Sequence, residues 1–294
     1  MADATDRSLI SAPQLNRHKV TYRVVLTLVI VTFTLIFIGP LYFLFTDGLK
    51  STSEAVQVPP TIVPAHVHPG TYASAWSRMG IGRLLVNTLY YAFGALAFQL
   101  VFDVAAAYSL SRLRPVLGNV IFALMLATLM IPATVLVVPQ YVTVSDLPLL
   151  HLNLIGSPEA IWLPSVANAF SIFLLKRFFD SIPSELLAAA AIDGASPLRI
   201  LRSVVLPISR PIIGVVSIFA LVAAWKDFLW PLLVEYGYNP NRETLNVGIF
   251  EAASTTPQNL VLAASAMAAV PTLVFFLFFQ RNILSGLTAG SLKG

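Results

Sequence analysis

Apolar residues fall in long blocks along this chain, and polar residues collect in the gaps between them. Blocks of about twenty residues, enough to cross the hydrocarbon core as a helix, run over 24–45, 84–110, 119–142, 161–179, 208–234 and 260–279. The pattern predicts an all-α membrane protein of six transmembrane helices in one domain, 1–294. The first block is too long for the core of a signal peptide and lacks a small-residue cleavage site, so it counts as a span.

Composition supports that class. The 294 residues are 57% hydrophobic and 11% charged, where soluble domains carry about a quarter charged. Cysteine is absent, which excludes a disulfide framework and a thiolate metal site. The basic residues lie between apolar blocks, so they report topology and not a nucleic-acid surface. Thirteen Lys and Arg fall in the N-terminal tail, the second and fourth connections and the C-terminal tail. Four fall on the other side: Lys50, Arg78, Arg83 and Arg242. Lys226 lies inside the fifth block. The positive-inside rule then places the tails 1–23 and 280–294, and the connection 180–207, in the cytoplasm.

That fourth connection contains "ELLAAAAIDGASPLRILRSVVLP". Pro183 suits a first helical turn, the alanine run favours helix, and Gly194 can take a left-handed stop. Ser196 and Pro197 read as the cap and first residue of a second helix, which ends at Leu206-Pro207. Glu185, Ala189 and Asp193 share one face by their spacing of four. The residues alone fit either a helix-turn-helix that another protein grips or a long connecting loop.

The stretch Ile182 to Pro207 resembles the cytoplasmic EAA loop, or coupling helix, of ABC importer permeases of the carbohydrate-uptake family. "NTLYYAFGALAFQLVFDVAAAYSLSRLR", "AWKDFLWPLLV" and "QRNILSGLTAGSLKG" resemble further segments of that family, in order. The pattern is similar to the second permease subunit of maltose, trehalose and glycerol-phosphate type importers. The chain departs from it at Ala188 and Leu187, where the family carries glutamates. Ala189, Asp193, Gly194, Leu206 and Pro207 carry over as ATPase-coupling positions, with Glu185 as a stand-in for the missing acid.

The resemblance implies a multi-pass subunit of the bacterial inner membrane, surrounded by lipid, moving a sugar or polyol. Its implied partners are a second permease, a pair of ATPase subunits and an extracytoplasmic solute-binding protein. ATP and Mg would be bound by the ATPase subunits, so this chain itself is expected to be neither an enzyme nor a cofactor binder. The sequence agrees, having no G-x-x-x-x-G-K-[ST] loop, no G-x-S-x-G and no H-E-x-x-H. His66 and His68 alternate in a Pro-rich external segment that reads as solvated loop, so no metal site is expected.

Polar residues within blocks are the remaining candidates. Asp103, with Gln99 one turn away, reads either as a path or proton site or as a hydrogen-bonded contact between helices. Trp225, Asp227, Phe228 and Trp230 offer the aromatic faces and fixed polar groups that suit a sugar. The same residues also fit helix packing and an interfacial tryptophan belt. An ion-coupled carrier using Asp103 is the alternative function, but it has no need of the 182–207 pattern.

Overall fold

Away from water, every backbone N–H and C=O must bond within the protein, and a helix achieves this within one segment. The computed structural model describes residues 19–289, with side chains from 20 to 278. Of the expected cytoplasmic tails, 1–18 with Arg7 and Arg17, and 290–294 with Lys293, lie outside the described residues.

Among the described residues there is no β-strand, only an isolated bridge between Leu147 and Leu152. The helices, in chain order, are α1 (Lys19–Asp47), α2 (Thr52–Ala55), α3 (Gly70–Arg78) and α4 (Ile81–Tyr108). A π-helical turn, Ser109–Leu113, extends α4. Then come α5 (Gly118–Thr128), α6 (Ala133–Ser145), α7 (Glu159–Trp162), α8 (Ala169–Ser181) and α9 (Ser184–Ile192). The last are α10 (Pro197–Ile208), α11 (Arg210–Lys226), α12 (Leu229–Val234), α13 (Leu245–Ala252) and α14 (Gln258–Ala289).

Three of these are long and apolar enough to cross a membrane: α1, α4 with its π turn, and α14. Up to five spans result if each bent pair counts as one. The third block is broken where Pro132 disfavours helix at the residue before it, and α5 meets α6 at 109°. The fourth block is interrupted at 166–168, which leaves α8 at 13 residues, about 20 Å. In the fifth, α10 meets α11 at 81°, with Ser209 between Pro207 and Pro211. The helix then stops again at Lys226, because Asp227 is extended.

The central helix is α4, packed against α8 and α11, while α14 packs on α1, α3 and α11. Gly94 sets one close approach. A Cβ there would lie 2.3 Å from the Trp162 ring, which sits between Tyr90 and Phe98. At the C-terminal end of α1, buried Lys50 pairs with Asp47 at 2.5 Å and donates to the Thr61 carbonyl at 2.6 Å. Glu54 accepts from Ala65 N–H at 2.9 Å and Thr61 Oγ1 at 2.8 Å, which holds its carboxyl below the usual range. These bonds tie the Pro-rich segment 57–69 to the end of α1.

Gly94→Ala should destabilise the chain by about 1–3 kcal/mol, the usual effect of overpacking. Gly214→Ala should not, because a Cβ there meets nothing within 4 Å. Thermal unfolding of the two purified variants in detergent checks this.

Candidate functional site

The helix breaks at 166–168 and 227–228 face a cavity of about 390 Å³ between α4, α8, α11 and α12. Thr88, Tyr91, Gln99, Asn168, Asp227 and Thr244 contribute polar groups to its wall, and Phe170 and Phe219 contribute rings. Asn168 caps α8, its Oδ1 accepting from Ser171 N–H at 3.0 Å. Its own N–H donates to Asp103 Oδ1 at 3.0 Å. Gln99 Nε2 donates to Asp103 Oδ2 and to Ser171 Oγ, both at 3.1 Å. Asp103 is wholly buried. It joins α4 to α8 behind the cavity wall and is not among the lining residues.

At the second break, Asp227 Oδ1 accepts from Trp230 N–H at 3.4 Å. Asn246 Nδ2 donates to the Trp225 and Asp227 carbonyls at 3.1 and 3.4 Å, meeting acceptors that the end of α11 leaves free. Of the four candidates in this segment, only Asp227 lines the 390 Å³ cavity. Trp225 is buried against Leu245, Ile249 and Ala264, and its Nε1–H donates to Ala268 O at 3.3 Å. Phe228 packs edge-on against Phe250. Trp230 donates to Ala160 O at 2.9 Å. Lys226 lines a separate cavity with Asn246 and Ser265.

Near the N-terminal end of α4, Thr88 Oγ1 accepts from Leu245 N–H at 2.8 Å, and Asn87 Nδ2 donates to Glu243 O at 3.0 Å. These bonds hold α13 against α4. Burial, with the hydrogen bond and charge of neighbouring Glu251, pushes the Glu243 carboxyl up to about 7.

The connection 182–208 is a capped helix pair. Pro183 takes the cap position of α9, one residue ahead of the first turn expected for it. Gly194 has φ +79°, and the bonds Gly194 N–H to Ala191 O and Ala195 N–H to Ala190 O close α9 as a Schellman motif. Ser196 Oγ accepts from Arg199 N–H at 3.4 Å and caps α10. The second helix does not stop at Leu206-Pro207 as expected. It widens into a π-helical turn over Leu201–Val205 and continues to Ile208. The missing Pro207 N–H frees an acceptor one turn earlier, where that wider turn lies. Glu185, Ala189, Asp193, Gly194 and Pro207 are exposed, whereas Leu206 packs against the Phe179 and Val205 cluster. No residue of α9 is buried.

Both flanks of α9 are tied to α4 and its π-helical turn. Tyr108 Oη donates to Pro197 O at 3.0 Å. Arg112 Nη2 donates to Phe179 O and to Ile182 O, the second at 2.6 Å, at the negative end of the α8 dipole. Ser111 Oγ donates to Asp180 Oδ1 at 2.6 Å, and Lys176 to Asp180 Oδ2 at 2.8 Å. Burial raises the Asp180 carboxyl, but these bonds outweigh it and hold the group below the usual range. In the sequence Arg112 registers only as a topology charge, because its partners are backbone carbonyls 67 and 70 residues away. Arg112→Gln should cost about 1.5–3 kcal/mol locally, the worth of hydrogen bonds to a charged group. Faster amide exchange across 184–192, with α4 unchanged, is the expected result.

Comparison with known proteins adds the family. A model described as "Binding-protein-dependent transport system inner membrane component" matches residues 99–288. The sn-glycerol-3-phosphate transport system permease protein UgpE of Rhizobium meliloti is 30% identical over 86% of this chain and 91% of its own. The melibiose/raffinose/stachyose import permease protein MelC of Bacillus subtilis is 30% identical over 87% and 91%. A chain of a bacterial ABC transporter for import of the acidic polysaccharide alginate matches the fold with a TM-score of 0.77, at 20% identity, over 93% of this chain and 99% of that one.

Proposed function

Since the chain belongs to the family of binding-protein-dependent transport system inner membrane components, we propose that it is one of two permease subunits of an ATP-driven importer for a sugar or related polyol. The observation that carries this reading is α9, an exposed helix with both flanks bonded to α4. ATP and Mg belong to a pair of ATPase subunits. Their closure moves α9, with Glu185, Ala189, Asp193 and Gly194 at the contact and Leu206 and Pro207 at its base. The cavity then alternates between inward and outward access, and an extracytoplasmic binding protein delivers the solute. The melibiose-type and glycerol-phosphate-type relatives support the solute class. A transporter of similar fold in complex with its periplasmic binding protein supports that partner.

The proposed membrane arrangement has six spans, the third to fifth as broken helices, and both termini in the cytoplasm. The charge split supports that orientation. The carrier alternative is not favoured, since both Asp103 oxygens are engaged between α4 and α8. A reporter active only in the cytoplasm should work when fused within 188–207 and fail near His66; reversed results would refute the orientation.

The coupling role has its own test. Gly194→Val forces a β-branched residue into φ +79°. It should abolish uptake and stimulated ATP hydrolysis in reconstituted vesicles at unchanged permease abundance. Asp193→Lys should act similarly, and Ala188→Glu should be tolerated. Normal coupled transport in both Gly194→Val and Asp193→Lys would remove 182–207 as the coupling element.

A further inference from the structure

We propose that the groove between the π-helical turn of α4 and the helices α9 and α10 binds the phosphate of an anionic phospholipid, with Arg112 and Arg114 as its cationic contacts. The inference goes beyond the importer reading and needs only the inner-membrane setting of the family. The groove has a volume of about 360 Å³, and both arginines line it together with Ser111 and Ser184. Neither arginine forms an ion pair among the described residues. Arg112 uses Nη2 on the Phe179 and Ile182 carbonyls, and Arg114 uses Nε on Ser111 O at 3.5 Å. Arg112 Nη1 and both Nη groups of Arg114 remain as donors. None of the lining residues is Asp or Glu. Asp180 feels the charge of Arg112 but is engaged by Ser111 and Lys176. Two cations lining one groove without a carboxylate repel each other, and a phosphate that bonds to both removes that cost.

The apolar surroundings select a lipid over a soluble anion. Leu113, Val116 and Leu117 are exposed around the arginines, and Leu187 and Ile200 form the apolar part of the groove. The turn over 109–117 ends α4, a helix long and apolar enough to cross a membrane, so it lies where headgroups meet acyl chains. Arginines at headgroup level beside exposed apolar side chains match the two halves of a phospholipid. Lys176, Arg177, Arg199 and Arg202 on α8 and α10 enlarge the basic surface. At about 3.6 residues per turn, Ser184 and Leu187 fall on the face of α9 opposite to Glu185, Ala189 and Asp193. A lipid in the groove therefore leaves the proposed ATPase contact open.

The test uses the full-length chain, with the subunits that copurify with it, in nonionic detergent at physiological ionic strength. Native mass spectrometry counts bound phosphatidylglycerol and phosphatidylcholine. Phosphatidylglycerol should bind about thirtyfold more tightly, as two basic contacts dictate. Arg114→Gln should weaken it by about fivefold, the share of one charge. Arg114 is exposed and gives up only one long backbone bond, so the variant should fold. Arg202→Gln removes an exposed charge outside the groove and should leave binding unchanged, because salt screens it. Bound phosphatidylglycerol should also slow amide exchange over 184–187 in the wild type and not in Arg114→Gln. Equal binding of the two lipids, or equal losses in the two variants, would overturn the site. So would displacement of the lipid by inorganic phosphate, which marks a soluble-anion site, or loss of the ATPase subunits from Arg114→Gln with lipid binding unchanged.

Discussion

The bond from Asn168 N–H to the Asp103 carboxylate holds the molecule's central contact. Asn168 starts α8 at membrane depth, where water cannot satisfy the N–H groups of a first helical turn. Asp103 on α4 supplies one acceptor, the Asn168 side chain supplies another for Ser171, and Gln99 completes the set. The break in the fourth apolar block is stable because these groups meet, and it gives the cavity its polar wall. Losing the Asp103 carboxylate would leave the Asn168 N–H and the buried Gln99 amide without this acceptor, and losing the Asn168 side chain would leave Ser171 N–H without its cap.

Helix α4 carries the polar wall and, with its π-helical turn, the anchors of the 182–208 connection. Thr88, Tyr91 and Gln99 line the cavity, while Tyr108, Ser111 and Arg112 bond to the 182–208 connection and to the end of α8 that leads into it. A rigid helix with polar contacts at both ends is a suitable element for relaying a displacement between two packings. The apolar surface of α9 and the wholly unburied apolar window of α1 are consistent with an assembly in which lipid and partner subunits cover them.

The sequence by itself determined the helical membrane class, the number of apolar blocks and the chemistry of the turn at 193–197. Those depend on local properties: apolar length, the left-handed tolerance of Gly194, and a Ser-Pro cap. It also carried the family, through motifs that are contiguous in the chain. Only the tertiary structure decided where the helices break and which polar side chains meet. Trp225, Asp227, Phe228 and Trp230 are neighbours in sequence, yet the change from helix to extended backbone at Asp227 sends them to different surroundings. Tyr91 and Thr244 gave no signal because they are far apart in the chain and join one cavity only when α13 packs on α4. Arg112 was visible as a charge, but its role depends on carbonyls at the end of another helix, which no residue pattern records.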